Sequence, residues 1–549
     1  MYPTLAQLFD ESVERFAERT ALRMPVPKER KSGRGVQLIL NEISYGRMGE
    51  MAGRLSTALS ELGVSKGDRV ALVAKPRAAW ATSFFAILRC GAVVVPLDPE
   101  LQASEIERIL EDADVKGVIT SGTKTASLLA MKQSSLSGIF VISMDRAKDD
   151  DALFLDALLL GKSPLPRVES SETDLAVLMY TSGTTGNAKG AMLTNKNISS
   201  NATTAAKVVS LTQEDNFLGI VPWNHIYGLT ITLVTPLLVG GTTTYTPVDR
   251  NLAAVMKKAK PTIILGVPKL YNVLYGRIME GIGKSGLKKA IYRSSPTLMG
   301  KLVKNKLFGK QFRFFTSGGA PLNPEAAAGF RSMGIGIMEG YGLTETSPLL
   351  TMCEAFAEEP GMIAIEGIEI RIAHPDGAGV GEVLARGPNI MAGYYKNQAA
   401  TDEVIDADGW FHTGDLGTYK NGRLQISGRA KNVIVLETGK NVYPEEIEWE
   451  LISIPEIEEI MVHEGERQGV PAVCAQIYPN WDALKAGGAE DPGAAIEVLW
   501  EAIKTRNENL AQFKRIRFKE CITLVDEPFQ KSAKLDIKRH LHKTDDPST

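Results

Sequence analysis

The chain has 549 residues, 44% of them hydrophobic and 23% charged, with a formal net charge of −3. That length exceeds what one core usually supports, so two or more domains are expected, and the near-neutral balance gives no global basic field to recruit nucleic acid or anionic lipid. Four cysteines, Cys90, Cys353, Cys474 and Cys521, lie far apart with no CxxC pair; this argues against a zinc site and a disulfide framework and suits a reducing compartment.

Met1-Tyr2-Pro3-Thr4 lacks a basic segment followed by an apolar one, so no signal peptide is expected. Thr4 is placed to cap a helix whose Leu5, Leu8, Phe9, Val13 and Phe16 share one face. Ser44 precedes a second helical run through Met48, Met51, Leu55 and Leu59, stopped by Gly63. A strand at 70–73, a helix at 78–88, a strand at 92–95, a helix at 105–110 capped by Ser104 and a strand at 117–120 follow. The alternation resumes with a strand at 262–267, a helix at 269–279 and a strand at 312–316. Such β-α alternation predicts a parallel sheet covered on both faces, with ligands beyond the carboxyl ends of its strands. The apolar stretches 78–97 and 226–241 are broken by Arg89, Gly91 and Pro236 and read as core, the second being shorter than the ~20 residues a spanning helix needs. Short glycine-punctuated segments between Arg371 and Ile426 suggest twisted strands or a small barrel. After Gly428 the character changes. Pro444 opens an acidic helix at 445–451, and a compact α+β unit is expected beyond a boundary near Ala430.

Three loops carry candidate chemistry. Tyr180-Thr181-Ser182-Gly183-Thr184-Thr185-Gly186-Asn187-Ala188-Lys189-Gly190 follows an apolar strand at 175–179 and offers backbone N–H groups, hydroxyls and one lysine, which suits a polyphosphate. It lacks the GxxxxGK[ST] spacing of a Walker A loop, and alone it also reads as an ordinary turn. Glu345, within Tyr341-Gly342-Leu343-Thr344-Glu345-Thr346-Ser347-Pro348, suits Mg²⁺, which takes one or two carboxylates together with substrate phosphates; alone it also reads as a surface glutamate. Tyr341 could stack on a base or sit in a core. Asp415, after Thr413-Gly414, could accept from a ribose diol or close a turn. Their joint occurrence is what points to a nucleotide.

Long motifs in a fixed order carry a resemblance across essentially the whole chain: YTSGTTGNAKG at 180–190, FFTSGGAPLNPE at 314–325, EGYGLTETSP at 339–348, GEVLARGPNIMAGYYKN at 381–397, DGWFHTGDLG at 408–417 and GRAKNVIVLETGKNVYPEEIE at 428–448. The chain resembles the adenylate-forming superfamily of acyl-CoA synthetases, luciferase and peptide-synthetase adenylation domains, and most resembles bacterial AMP-forming long-chain fatty-acid–CoA ligases. The resemblance implies an α/β fold: a large N-terminal domain, 1–429, of parallel-sheet αβα layers with a small β-barrel-like subdomain, then a small mobile α+β domain, 430–549. It implies ATP, Mg²⁺ and CoA, and two half-reactions: a hydrophobic carboxylic acid, fatty or cyclic, takes AMP from ATP with release of pyrophosphate, then a thiol displaces AMP.

By the same resemblance Thr181, Ser182, Gly183, Thr184, Thr185 and Lys189 would hold the β/γ-phosphates. Gly318, Ala320, Pro321, Tyr341 and Gly342 would border the adenine. Thr344 would touch the α-phosphate, Glu345 and Thr184 would serve Mg²⁺, and Asp415 and Arg429 would bind the ribose. Lys431 falls at the hinge, with Gly439 and Lys440 in the loop of the CoA step. His225 matches an aromatic/histidine gate at the acyl pocket, which Trp223, Tyr227, Val267, Gly319 and Gly340 would line. No nucleic acid partner is expected; peripheral membrane contact is left open, the location expected is cytoplasmic, and the expected state is a monomer or homodimer.

The pattern departs in one place. The family's adenylation lysine, aligned without gaps on Ile537-Lys538-Arg539, falls on Asp536, a carboxylate that would repel both reacting anions. Lys534, two residues earlier, reaches the same face of an extended segment, and a small register shift restores the match; Lys534 is the expected catalytic lysine. Two alternatives stand beside the CoA ligase: an acyl-AMP ligase loading a carrier protein, and a catalytically weakened nucleotide- or acyl-binding homologue. The segment 360–367 is shorter than its family counterpart.

Overall fold

The computed structural model describes residues 2–29, 36–122, 124–146, 152–181, 188–249, 251–320, 322–357, 359–436, 441–467, 470–531 and 537–542. The opening helix is Leu5–Phe16, capped as its sequence dictates: Thr4 Oγ1 accepts from the Gln7 N–H at 3.2 Å and the Gln7 side chain accepts from the Thr4 N–H at 2.9 Å. Ser44 caps Tyr45–Glu61 in the same way through the Arg47 N–H. The helix at Ala103–Asp112 starts two residues earlier than its Ser104 suggests, because Glu105 reaches back to accept from the Gln102 N–H at 2.9 Å. A carboxylate in the first turn outweighs a serine two positions too late.

Two sheets organise the N-terminal part. The first is seven-stranded, in the order Leu153–Phe154, Phe140–Ser143, Val115–Thr120, Arg69–Val73, Val93–Leu97, Leu175–Thr181, Lys189–Thr194. All neighbours are parallel except the last pair. Along its strands Val70, Leu72 and Val94 enter one core while Ala71, Val73, Val93 and Val95 enter another, so both faces are covered, as near-continuous apolar strands require. The second sheet has thirteen strands. Its parallel half is Thr20–Glu29, Thr242–Tyr245, Asn216–Gly219, Ile263–Gly266, Phe314–Gly318 and Gly336–Gly342. The segments expected between Arg371 and Ile426 as twisted strands or a small barrel join that half edge to edge through Leu349–Met352 and Met362–Ala364, in one antiparallel array that continues with Arg423–Arg429, Phe411–Lys420, Gly381–Arg386 and Glu369–Ala373. The sheet is therefore mixed. Glycine punctuation marked the strands, and no local signal says which edge they join.

The stretch 226–241 forms short helical turns whose Leu229–Val234 segment is wholly buried, and no helix among the described residues is long and apolar enough to cross a membrane. From Ile434 onward the chain builds its own core. The hairpin Ile457–Arg467/Val470–Pro479, with Ile522–Leu524 parallel beside it, packs under helices Pro444–Leu451 and Pro492–Asn507 through Ile447, Leu451, Val462, Ile477, Leu499 and Ile503.

Candidate active site

The carboxyl ends of the parallel strands in the large sheet converge on one region. Asn216–Gly219 leads to Trp223 and His225, Ile263–Gly266 to Val267, Phe314–Gly318 to Gly319 and Ala320, and Gly336–Gly342 to Thr344 and Glu345. The first sheet contributes the hairpin mouth where Thr181 pairs with Lys189. Ser182, Gly183, Thr184 and Thr185 of that turn, with Pro321, Gly439, Lys440, Lys534 and Asp536, lie outside the described residues.

One polar cluster joins the two sheets. The Tyr394 phenol donates to Glu345 Oε1 at 2.9 Å, and Lys189 Nζ stands 5.2 Å from the centre of the Tyr394 ring. The Tyr394 backbone bridges to Ala191 on the hairpin, and the Met391 N–H donates to the Glu345 carbonyl at 2.8 Å. Burial, then the Glu345 charge, raises the Tyr394 pKa well above the phenol's ordinary value, so it remains a neutral donor. Tyr394 sits inside the GYYKN motif but carries no charge or glycine to draw attention; only the fold puts it between a lysine and a glutamate far apart in the chain. Thr344 is buried beside Glu345.

A second cluster lies on the antiparallel side. Asp415, 4% exposed, accepts from the Tyr341 phenol at 2.7 Å and pairs with Arg429 Nε at 2.7 Å. Asp415 and Arg429 are direct cross-strand partners. A buried carboxylate needs such partners, since an isolated one would be expelled from the interior or protonated. Burial, then the Asp415 charge, raises the Tyr341 pKa strongly.

A mostly apolar cavity of ≈ 40 Å³ lies along the sheet, with Gly340 of the strand that carries Tyr341 in its wall. Tyr227, Thr316, Ser317, Gly340 and Leu349 line its upper part; Val209, Leu211, Phe217, Phe314 and Met338 line the lower. Strand alternation explains the set. Phe314 and Thr316, like Met338 and Gly340, are two apart and share a face, whereas Leu218, Ile264, Phe315 and Ile337 point into the core on the other side. Gly318 lets Tyr227 close over the top: a Cβ there would stand 3.1 Å from Tyr227 Cζ. Gly319 has φ +89° with open space around it, so backbone conformation, and no steric demand, calls for glycine.

Three expected pocket residues are elsewhere. Trp223 is fully buried, donates from Nε1 to Thr232 Oγ1 at 3.1 Å and packs against Trp80 and Tyr245; it is core. Val267 packs with Ile220, Val221 and Leu265 beside the cavity without lining it, and exposed Gly319 lies outside it. His225 is half-buried at the start of the turn Ile226–Gly228.

On the C-terminal side Lys431 lies in the turn Ala430–Asn432, where partial burial, then Arg429 and Arg539, push its ammonium pKa down. Glu445 accepts from Asn432 Nδ2 at 2.5 Å, and Arg539 pairs with the buried Glu448 at 2.5 Å. Lys531, which bridges to Ile537 across the segment that holds Lys534, pairs with Glu459; Lys269, at the start of the helix after Val267, stands 4.0 Å from the same carboxylate.

Comparison with known proteins bears out the family read from the motifs. Residues 9–395 match the AMP-binding enzyme family and residues 431–544 match the AMP-binding enzyme C-terminal domain. The chain belongs to the AMP-binding enzyme family. It is 29% identical over 480 residues to a long-chain-fatty-acid–CoA ligase, FadD15 of Mycobacterium bovis, covering 80% of this chain and 78% of that one. It is 29% identical over 428 residues to a feruloyl-CoA synthase of Amycolatopsis, covering 76% and 79%. Its fold matches o-succinylbenzoate coenzyme A synthetase of Bacillus subtilis in complex with ATP and magnesium ion, with a TM-score of 0.76, 21% identity and coverage of 98% and 99%.

Proposed function

We propose that this chain is an AMP-forming acyl-CoA synthetase for hydrophobic carboxylic acids, fatty or cyclic. One observation carries the reading: the strand Gly336–Gly342 serves both halves of such a reaction. Met338 and Gly340 line the apolar cavity, Tyr341 bonds Asp415, and Thr344 and Glu345 follow directly. An acid lying along the sheet would present its carboxylate where a nucleotide's α-phosphate meets Thr344.

In the first step the carboxylate oxygen attacks the α-phosphorus of ATP and pyrophosphate leaves; in the second the CoA sulfur attacks the acyl carbonyl and AMP leaves. Both reactants of the first step are anions, so fixed positive groups and donors must offset their repulsion. Lys189 with Thr181, Ser182, Gly183, Thr184 and Thr185 holds the outgoing pyrophosphate, and Thr344 donates to the α-phosphate. Lys534 is the cation brought from the C-terminal part; the pairing of its flank Lys531 with Glu459, itself beside Lys269, favours that placement. Asp415, held in place by Tyr341 and Arg429, is the carboxylate that would accept from the ribose hydroxyls. The donor set fits Mg²⁺: Glu345 is a single carboxylate, Thr184 a hydroxyl, and among the described residues no group of three or more ligating side chains forms a cage. Bound there with the phosphates, the ion would neutralise polyphosphate charge. Residues 430–549 act as the moving domain, with Lys431 as hinge and Gly439 and Lys440 in the loop of the thiol step.

The test is a panel of carboxylic acids of increasing chain length, with aromatic acids alongside, scored for pyrophosphate exchange and for AMP release with CoA. Hydrophobic acids should lead in both, and their order should rank fatty against cyclic ones. Exchange without CoA-dependent AMP release would identify a carrier-loading enzyme, and no exchange with any acid would sink the enzymatic reading.

A further inference from the structure

Helix Pro268–Gly283 starts beside Val267 and leads into two more helices, Gly286–Ser294 and Pro296–Leu307, on the sheet face opposite the cavity. From residue 281 to 324 the sequence holds nine Lys and Arg and no Asp or Glu, in a chain whose net charge is −3. Helix Gly286–Ser294 has no buried residue. Lys289, Arg293, Lys301, Lys306 and Lys310 have no carboxylate partner among the described residues. The field extends further, since helix Pro296–Leu307 packs on Leu252–Ala259, whose last turn exposes Lys257 and Lys258.

Among these charges stand apolar side chains outside the core that the helices build with the sheet. Leu287 is 73% exposed, and Leu298 and Leu302, one helical turn apart, are each 49% exposed. A merely solvated basic face has no use for leucines in water, and a nucleic-acid surface would place donors where these leucines stand. Exposed leucines among lysines that, Lys284 with Glu280 apart, have no carboxylate partner among the described residues suit a helix lying in a headgroup layer, its apolar side chains in the acyl boundary and its ammonium groups on anionic lipid. We infer that the face formed by Gly286–Ser294 and Pro296–Leu307 docks this protein on an anionic lipid bilayer. The inference is independent of the reaction proposed above.

The experiment is co-sedimentation of the full chain with phosphatidylcholine vesicles, with or without phosphatidylglycerol. The protein should pellet with the anionic vesicles, stay in solution with the neutral ones, and release as salt screens the contact. Lys301→Glu with Lys306→Glu should weaken binding on the order of 10-fold or more, and Leu298→Ser with Leu302→Ser should also weaken it. Both variants should keep the wild-type melting midpoint and turnover of a short water-soluble acid, because all four side chains are at the surface. Equal pelleting with neutral vesicles, unchanged binding in both variants, or preference for a single-stranded RNA over anionic vesicles would each overturn the assignment. Loss in the lysine variant alone would overturn the insertion of the leucines.

Discussion

The two ends of the strand Gly336–Gly342 are built by opposite rules. At its carboxyl end each side chain is fixed by a named polar partner: Tyr341 and Arg429 on Asp415, Tyr394 on Glu345. At its middle the cavity walls are mostly apolar, and the two methionines of the cavity, Met338 and Met352, have unbranched side chains that change shape readily. Cavities that accept ligands usually measure ~300–1,000 Å³, so at ≈ 40 Å³ this one opens only when such side chains swing aside. In the proposed site, then, the polar partners around Asp415 and Glu345 are fixed by hydrogen bonds, while the acyl half would take its shape from the ligand.

That contrast can be broken by substitution, because nucleotide-side changes should slow every acid alike while acyl-side changes should re-rank the acids. The largest effect is expected for Lys534→Ala, with adenylation falling on the order of 10²–10³-fold, as when other fixed charge stabilisers are removed. Thioester formation from supplied acyl adenylate should survive, and an unchanged adenylation rate would remove Lys534 from the site. Asp415→Ala strips Tyr341 and Arg429 of their acceptor and should lower kcat/KM for ATP about 10–100-fold, whatever the acid. Met338→Trp fills the lower cavity; kcat/KM should fall ~10-fold for the longest acids and little for short ones. A uniform fall across the panel would merge the two halves into one.

The smallest change concerns a residue outside both halves. Burial raises the Glu448 pKa from 4.5 to about 7, against the pull of Arg539. The folded state therefore holds a proton that the unfolded chain releases, and stability falls as pH rises across that window. Glu448→Gln should flatten this fall, by about 1–2 kcal/mol across the window, as read from denaturant midpoints at several pH values. Acid ranking should not move. An identical pH slope in the variant would assign the titration to another group.

The part of the proposed site with a signature in the sequence is the part whose chemistry is local. A glycine-rich hydroxyl loop, a Gly-Asp pair and a glutamate in a threonine turn are readable because phosphate and ribose demand particular atoms. Caps such as Thr4 were readable for the same reason. Tyr394 was not, since its role depends on Lys189 and Glu345 arriving from distant strands. Trp223 misled, because an aromatic two residues before a histidine resembles a pocket wall until Trp80 and Tyr245 are known to enclose it. The cavity itself had no motif: Phe217, Phe314 and Met338 each follow ordinary strand alternation, and only the order of strands in the sheet sets them side by side. Basic helices in a near-neutral chain were hidden by the overall charge.

The strand Gly336–Gly342 also acts as a ruler. Its rise of about 3.3 Å per residue separates Met338 from Tyr341, so in the proposed reaction the depth at which a tail comes to rest would set the height of the carboxylate relative to the reacting phosphorus. An acid too short to touch the bottom is free to slide, and one too long is held above its mark. Acid length should therefore register in kcat more than in KM, since both ill-fitting classes can still bury apolar surface while missing the alignment that the reaction requires.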